Sequence, residues 1–296
     1  MTERTTAAAP SPRAYGLLLL LAAAWGMAFY FIKLALPTMT PAAMNMGRLG
    51  VAAAVLFLVM QARREKLPPW GPVWGYLAAV AVLGNALPYF LIAHAEQSVP
   101  SGLAAILTGA TPLITMALAH FATRDEQMTW RKLAGLVTGF AGLIVLFGPS
   151  ALSGVGADLF AQGLLLLTCL SFAGNAIVAR RMPPLPLATT CFAMTLIGTV
   201  VMFPFAMAAD PGLSHGPDLA AILAVLGLGL ITTAAAALLF FTLVREAGAV
   251  FVVSANYLTP LVALALGALL LGERPEPEAL IAFALICAGI WLANRR

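Results

Sequence analysis

Charge is what this sequence has least of. Its 296 residues include sixteen Lys or Arg and twelve Asp or Glu, 9% of the chain, against 61% apolar residues. A soluble domain carries about a quarter charged residues, so a soluble enzyme or binding module is excluded. The net charge of +4 and pI near 9.2 would suggest nucleic acid in a soluble protein. Here the basic residues lie in breaks between apolar runs, where they report topology, and no nucleic-acid partner is expected. All twelve acids sit at run ends, in the breaks or in the N-terminal tail. Without a carboxylate at mid-membrane, exchange of a proton for an organic cation is disfavoured. The same lack argues against a membrane-embedded enzyme holding metal and phosphate on paired acids. Cysteine is equally scarce: Cys169, Cys191 and Cys287 fall inside apolar runs with no CxxC partner, and read as packing residues. His94-Ala95-Glu96 matches the start of a zinc deaminase signature, but no Pro-Cys-x-x-Cys follows. No catalytic residue, metal or cofactor is expected.

What is present is a series of apolar runs of bilayer-crossing length. Ten spans are read: Tyr15 to Leu36, Pro41 to Gln61, Val73 to His94, Val99 to Phe121, Thr129 to Phe147, Leu159 to Ala179, Leu187 to Ala208, Leu219 to Val244, Phe251 to Leu271 and Glu278 to Trp291. Their connections leave no room for an extramembrane domain. Arg4 and Arg13 ahead of Leu17 to Ala24 imitate a signal peptide, yet the apolar run continues through Ile32, so a retained first span is expected. Lys and Arg number thirteen in the tails and alternate loops, and two, Lys33 and Arg274, on the other side, with Arg48 inside the second span. That asymmetry predicts both termini in the cytoplasm.

The runs repeat. Thr111-Pro112 sits within Ser101 to Phe121, and Thr259-Pro260 within Phe251 to Leu271. Asp125-Glu126 follows the first run and Glu273 the second, and each is followed by a further segment with an Ala-Gly pair, Ala141-Gly142 and Ala288-Gly289. A shift of 147 residues also lays Trp25 on Phe172, Lys33 on Arg180 and Pro37 on Pro184. The organisation read is a cytoplasmic tail (1–14), a five-helix repeat (15–147), a linker (148–158) and a second five-helix repeat (159–296). Five is odd, so the second copy enters the membrane from the opposite side. Such inverted repeats enclose a substrate site near the bilayer midplane.

The segments LLLAAAWGMAFYFIKLALP, TPLITMALAHFATRDE and YLTPLVALALGALLLGE resemble the drug/metabolite transporter superfamily, in its ten-helix branch with two EamA-type repeats. Within that branch the chain is most similar to bacterial exporters of aromatic amino acids. The resemblance covers nearly the whole chain. Its motifs are loose patterns of small, apolar and Pro positions that speak to fold more than to cargo. It implies an all-α membrane protein of ten transmembrane helices around a central cavity that opens alternately to the two sides of the bacterial inner membrane.

Several residues inside the spans could carry function. Pro112 and Pro260 cannot donate a backbone hydrogen bond, which frees the carbonyls of Thr108 and Asn256; Pro88 and Pro204 do the same for Gly84 and Val200. A freed carbonyl in hydrocarbon needs a cavity, water or a helix partner, so these prolines are candidate hinges or gates, with a bundle-shaping kink as the alternative. Polar residues recur at helical spacing: Asn85 and Tyr89; Thr108, Thr111 and Thr115; Thr168, Ser171 and Asn175; Asn256 and Thr259. They could surround one polar interior or bond helix to helix. Trp25, Phe29 and Lys33 form an aromatic stripe ending in charge, able to stack a planar substrate or simply to pack. Arg48 lies within its span and wants a counterion, which a substrate carboxylate could supply if the side chain does not snorkel.

The expected substrate-binding set is therefore Trp25, Arg48, Asn85, Tyr89, Thr108, Thr111, Ser171, Asn175, Asn256 and Thr259. Gly135, Gly139 and Gly142 offer a close-packing face, expected to be used within a monomer rather than in a dimer. The reading is an exporter of small metabolites, aromatic or other bulky neutral amino acids, with lipid as the other partner. The alternatives are an exporter of nucleosides or hydrophobic drugs, and a membrane-embedded enzyme.

Overall fold

The computed structural model describes residues 10–95, 98–99, 106–123, 127–148, 152, 155–209, 216–262 and 277–294, and these are all-helical. The side chains of Phe29 and Lys33, and Glu96, Asp125-Glu126 and residues 263–276, lie outside what is described. The helices are α1 (Pro12–Ala35), α2 (Pro41–Ala62) and α3 (Val73–Ala81, then a π-turn Val82–Ala86, then Leu87–Ala95). They continue as α4 (a turn of helix at 106–108, then Thr111–Ala122), α5 (Trp130–Phe147), α6 (Leu159–Arg181) and α7 (Leu187–Ala209). Last come α8 (Leu219–Gly227, a π-helix Leu228–Ala235, then Ala236–Ala247), α9 (Ala249–Val253 and residues 255–262) and α10 (Pro277–Asn294).

Against the ten spans read from sequence, seven described helices are long and apolar enough to cross a membrane. The other three apolar helices, Ile106–Ala122, Ala249–Val262 and Ile281–Asn294, are shorter in the described residues. Leu19, Leu20, Leu58, Leu166, Leu167, Leu170 and Leu223 are exposed on the outside of the bundle, the surface expected of helices that face lipid.

Local sequence accounts for the helix ends. Ser11, Thr40, Thr129, Asp158 and Asp218 each accept a bond from the backbone N–H three residues on, satisfying a donor that the first turn leaves open. The Asp158 carboxyl is held below the usual carboxylate range by the Ala161 N–H and the Ser98 hydroxyl. At the far ends, Gly148 and Gly248 follow α5 and α8 with φ of 76° and 92°, a conformation that favours glycine.

Two pairs of helices holding the same place in the two repeats run antiparallel to one another. Along α2 and α7, Leu49 meets Gly198 and Phe57 meets Phe192. Along α5 and α10, Gly135 meets Ala293, Gly139 meets Gly289 and Gly142 meets Ile286. Other close pairs are exchanged between halves: α1 lies along α8, where Trp25 meets Phe240 and Arg13 pairs with Glu246 at 3.4 Å, and α6 lies along α3, where Phe172 meets Tyr89. A pseudo-twofold axis in the bundle has these properties.

The glycine face of α5 is used inside the chain. A Cβ on Gly289 would fall 2.5 Å from the Gly139 nitrogen and 2.6 Å from the Gly135 oxygen, so the two backbones touch. Tyr257 of α9 crosses the same face of α5, its ring against Gly139 and its hydroxyl donating to the Leu136 carbonyl at 3.1 Å.

Both π segments fall in the third helix of a repeat, Val82–Ala86 in α3 and Leu228–Ala235 in α8. A π-turn inserts a residue into the ladder and leaves carbonyls for other donors. The donors are hydroxyls. Ser171 of α6 donates to the Leu83 carbonyl at 2.9 Å, and Thr232 and Thr233 both donate to the Leu228 carbonyl, at 2.9 and 2.8 Å.

Candidate functional site

A cavity of about 320 Å³ lies where the irregular stretches of α3, α4, α8 and α9 face α1, α2 and α6. Nine of the ten candidate binding residues line it: Trp25, Arg48, Asn85, Tyr89, Thr108, Thr111, Asn175, Asn256 and Thr259. Ser171 does not, because its hydroxyl is committed to Leu83 in the α3–α6 contact. Thr115 and Thr168 are buried and donate to the carbonyls of Thr111 and Leu164, at 2.8 and 3.0 Å.

The four prolines have unlike surroundings. Pro260 lines the cavity and has no N–H to give the Asn256 carbonyl. Pro112 stands in the first turn of the Thr111–Ala122 helix, where a proline costs no ladder bond. The Thr108 carbonyl, expected from sequence to lack its backbone donor, accepts from the Thr111 hydroxyl at 2.6 Å and the Cys169 thiol at 3.5 Å. Pro88 is buried away from the cavity lining, and Pro204 is exposed on the outer face of α7 beside Phe203 and Phe205. The carbonyl four residues before Pro204, that of Val200, therefore belongs to the outer surface, since Val200 itself is 65% exposed.

Arg48 is the cation of the cavity. It is 3% exposed, its Nε donates to the Thr233 hydroxyl at 3.0 Å, and its guanidinium lies 4.3 Å above the centre of the Tyr89 ring. Among the described residues no carboxylate approaches it, the described ion pair being Arg13 with Glu246. One of five guanidinium N–H groups is thus engaged with a side-chain acceptor. Gly229 brings the π-helix of α8 against α2 at this point, since a Cβ there would meet Val51 and lie 3.0 Å from the Arg48 carbonyl.

Aromatic rings form the walls. Tyr89 and Phe172 meet edge to face at 6.0 Å, Trp25 and Phe240 lie 6.4 Å apart, and Phe240 meets Phe241 at 5.4 Å. All five line the cavity. Three carboxamides, Asn85, Asn175 and Asn256, also line the cavity, and Oδ1 of Asn175 is buried and without a partner among the described residues. Thr232, Thr233, Phe172, Phe240 and Phe241 are lining residues that the spacing argument missed. The adjacent threonines in the middle of the eighth span were the available signal.

The family model described as the EamA-like transporter family matches residues 12–148 and again 159–295. The chain is 28% identical to the uncharacterized inner membrane transporter YedA of Escherichia coli, over 95% of this chain and 90% of that protein. It is 29% identical to a protein of Streptantibioticus cattleyicolor named "Probable terminal-alkyne amino-acid exporter", over 94% and 92%. It is also 29% identical to the S-adenosylmethionine/S-adenosylhomocysteine transporter of Chlamydia trachomatis, over 90% and 84%. A solved structure described only as a crystal structure of a protein superposes with a TM-score of 0.79 at 19% identity, covering 96% of this chain and 99% of that one. The similarity to that structure is one of fold.

Proposed function

We propose, from the premise that this chain belongs to the EamA-like transporter family, that it exports small neutral amino acids with aromatic or otherwise bulky side chains. It is a multi-pass protein of the bacterial inner membrane, and the names of its family and relatives are those of transporters rather than enzymes. In this reading ten helices cross the bilayer as two repeats, 15–147 and 159–296, joined by 148–158. Both termini are cytoplasmic, and the monomer rocks about its pseudo-twofold axis to expose the cavity alternately to the two sides.

The observation that carries the reading is Arg48: a buried cation with no described carboxylate, set against an aromatic wall in a cavity large enough for one small molecule. A cation in that setting wants a counter-charge, and a substrate carboxylate supplies one while its side chain lies among Trp25, Phe172 and Phe240. The two relatives named for a substrate support the head group, because terminal-alkyne amino acids and S-adenosylmethionine share an α-amino and an α-carboxyl group. The second also carries an adenosine, which keeps a nucleoside exporter as the second reading, since the same rings could stack a base.

Expression in a sensitive host should raise resistance to a toxic aromatic amino acid analogue such as p-fluorophenylalanine, and Arg48→Gln should abolish the gain. Resistance to nucleoside analogues alone would favour the second reading.

A further inference from the structure

We infer that Asn175 is the ammonium subsite of this cavity, the pole opposite Arg48 that makes the site selective for substrates carrying a free amine. The inference rests on the amino acid reading above. It starts from acceptors. An ammonium needs oxygen lone pairs, and the irregular helices around the cavity release several backbone carbonyls that could serve. Hydroxyls have taken most of them. Thr108 O accepts from Thr111 and from the Cys169 thiol, Leu83 O from Ser171, Leu228 O from both Thr232 and Thr233, and Ala255 O from Thr259 at 3.0 Å.

Against that background Asn175 differs. It is 8% exposed, it lines the cavity, and its Oδ1 is buried with no hydrogen-bond partner among the described residues. A buried carbonyl oxygen left unsatisfied costs about 1–3 kcal/mol, so such a group is expected to have a partner in some functional state. The position is also built for the amide. A Cβ on Gly84 would fall 2.8 Å from Asn175 Cγ and Oδ1 and 2.9 Å from Nδ2, so the glycine in the α3 π-turn makes the notch in which the carboxamide sits.

The two poles flank one aromatic wall. The Tyr89 ring lies 4.3 Å from the Arg48 guanidinium and 6.0 Å from the Phe172 ring, and Phe172 is three residues before Asn175 on α6. A neutral amide oxygen accepts from an ammonium without adding a second charge to the cavity. In this reading the cavity offers donors at Arg48 and a neutral acceptor at Asn175, which fits a zwitterion.

The test uses purified protein in liposomes loaded with labelled L-phenylalanine, with unlabelled competitors outside. Phenylpyruvate keeps the ring and the carboxylate but has no ammonium. Wild type should prefer phenylalanine over phenylpyruvate, and Asn175→Ala should shrink that preference about ten- to a hundred-fold, the value of one hydrogen bond to a charged group. Gly84→Ala, which pushes on the carboxamide, should shrink it in the same direction. Asn175→Asp keeps an acceptor and should retain the preference while newly admitting phenethylamine, so a misfolded Ala variant would not end the test. Undiminished preference in Asn175→Ala, or an Asp variant indifferent to the amine, would overturn the subsite. A wild type that fails to move phenylalanine at all would instead overturn the amino acid reading.

Discussion

Replacing Arg48 with Met separates a binding role from a structural one, because the first predicts almost no change in stability and the second a large loss. An arginine at the centre of a membrane helix costs about 2.5–3.5 kcal/mol on insertion scales. In this protein the cost is offset by one charged hydrogen bond to Thr233, worth about 1.5–3 kcal/mol, and by the stacking on Tyr89, worth about 0.5–2 kcal/mol. The terms nearly cancel. Thr233 keeps its own bond to the Leu228 carbonyl at 2.8 Å, so the substitution leaves no orphaned hydroxyl donor.

Arg48→Met should therefore unfold within about 1 kcal/mol of wild type, a shift of a few degrees at most. Breaking a buried ion pair by removing one partner would cost about 3–5 kcal/mol instead. Losing the carboxylate contact should weaken substrate binding about ten- to a hundred-fold. The assay is thermal unfolding in nanodiscs with and without phenylalanine, where wild type should be protected by ligand and the variant should not. A variant that melts far below wild type, yet keeps ligand protection, would refute the argument and make Arg48 a structural residue.

The prolines should not behave alike: Pro260→Ala gives the Asn256 carbonyl a helix donor and should slow transport at unchanged expression, while Pro112→Ala and Pro204→Ala should leave transport within about two-fold. Gly289→Ala sets a methyl against the backbone of α5 and should cost about 1–3 kcal/mol in unfolding, whereas Gly163→Ala, with nothing within 4 Å, should be neutral or slightly stabilising. Single cysteines at Lys66 and Val155 should label from opposite sides of the membrane in whole cells, the second alone reacting with an impermeant maleimide.

The two-repeat plan was legible because it rests on pattern: the Thr-Pro pairs and the Ala-Gly pairs survive any uncertainty about helix ends. The cavity was legible for a related reason. Polar side chains at spacings of three and four in apolar helices must face something polar, and stripes on α3, α4, α6 and α9 converge on one space. What could not be read was where the helical period itself changes. A π segment adds a residue to the turn, so Thr232 and Thr233, neighbours that an α-helix would aim about 100° apart, both reach the Leu228 carbonyl, and Thr233 then meets Arg48. Ser171 looked equivalent to Asn175, one turn away on the same stripe. The α3 π-turn puts a carbonyl within reach of the first and a glycine notch beside the second. Pro204 was placed by sequence without a face, and it lies on the outer one.

The most direct test of a cavity that carries a zwitterion without an embedded acid is counterflow of labelled phenylalanine in liposomes containing only this protein. Both sides are clamped at one pH and made permeable to protons by an ionophore. The account predicts exchange down the amino acid gradient alone, reduced at least ten-fold in Arg48→Met. Exchange that appears only when a pH difference is imposed, or that is unchanged in the Arg48 variant, would contradict it.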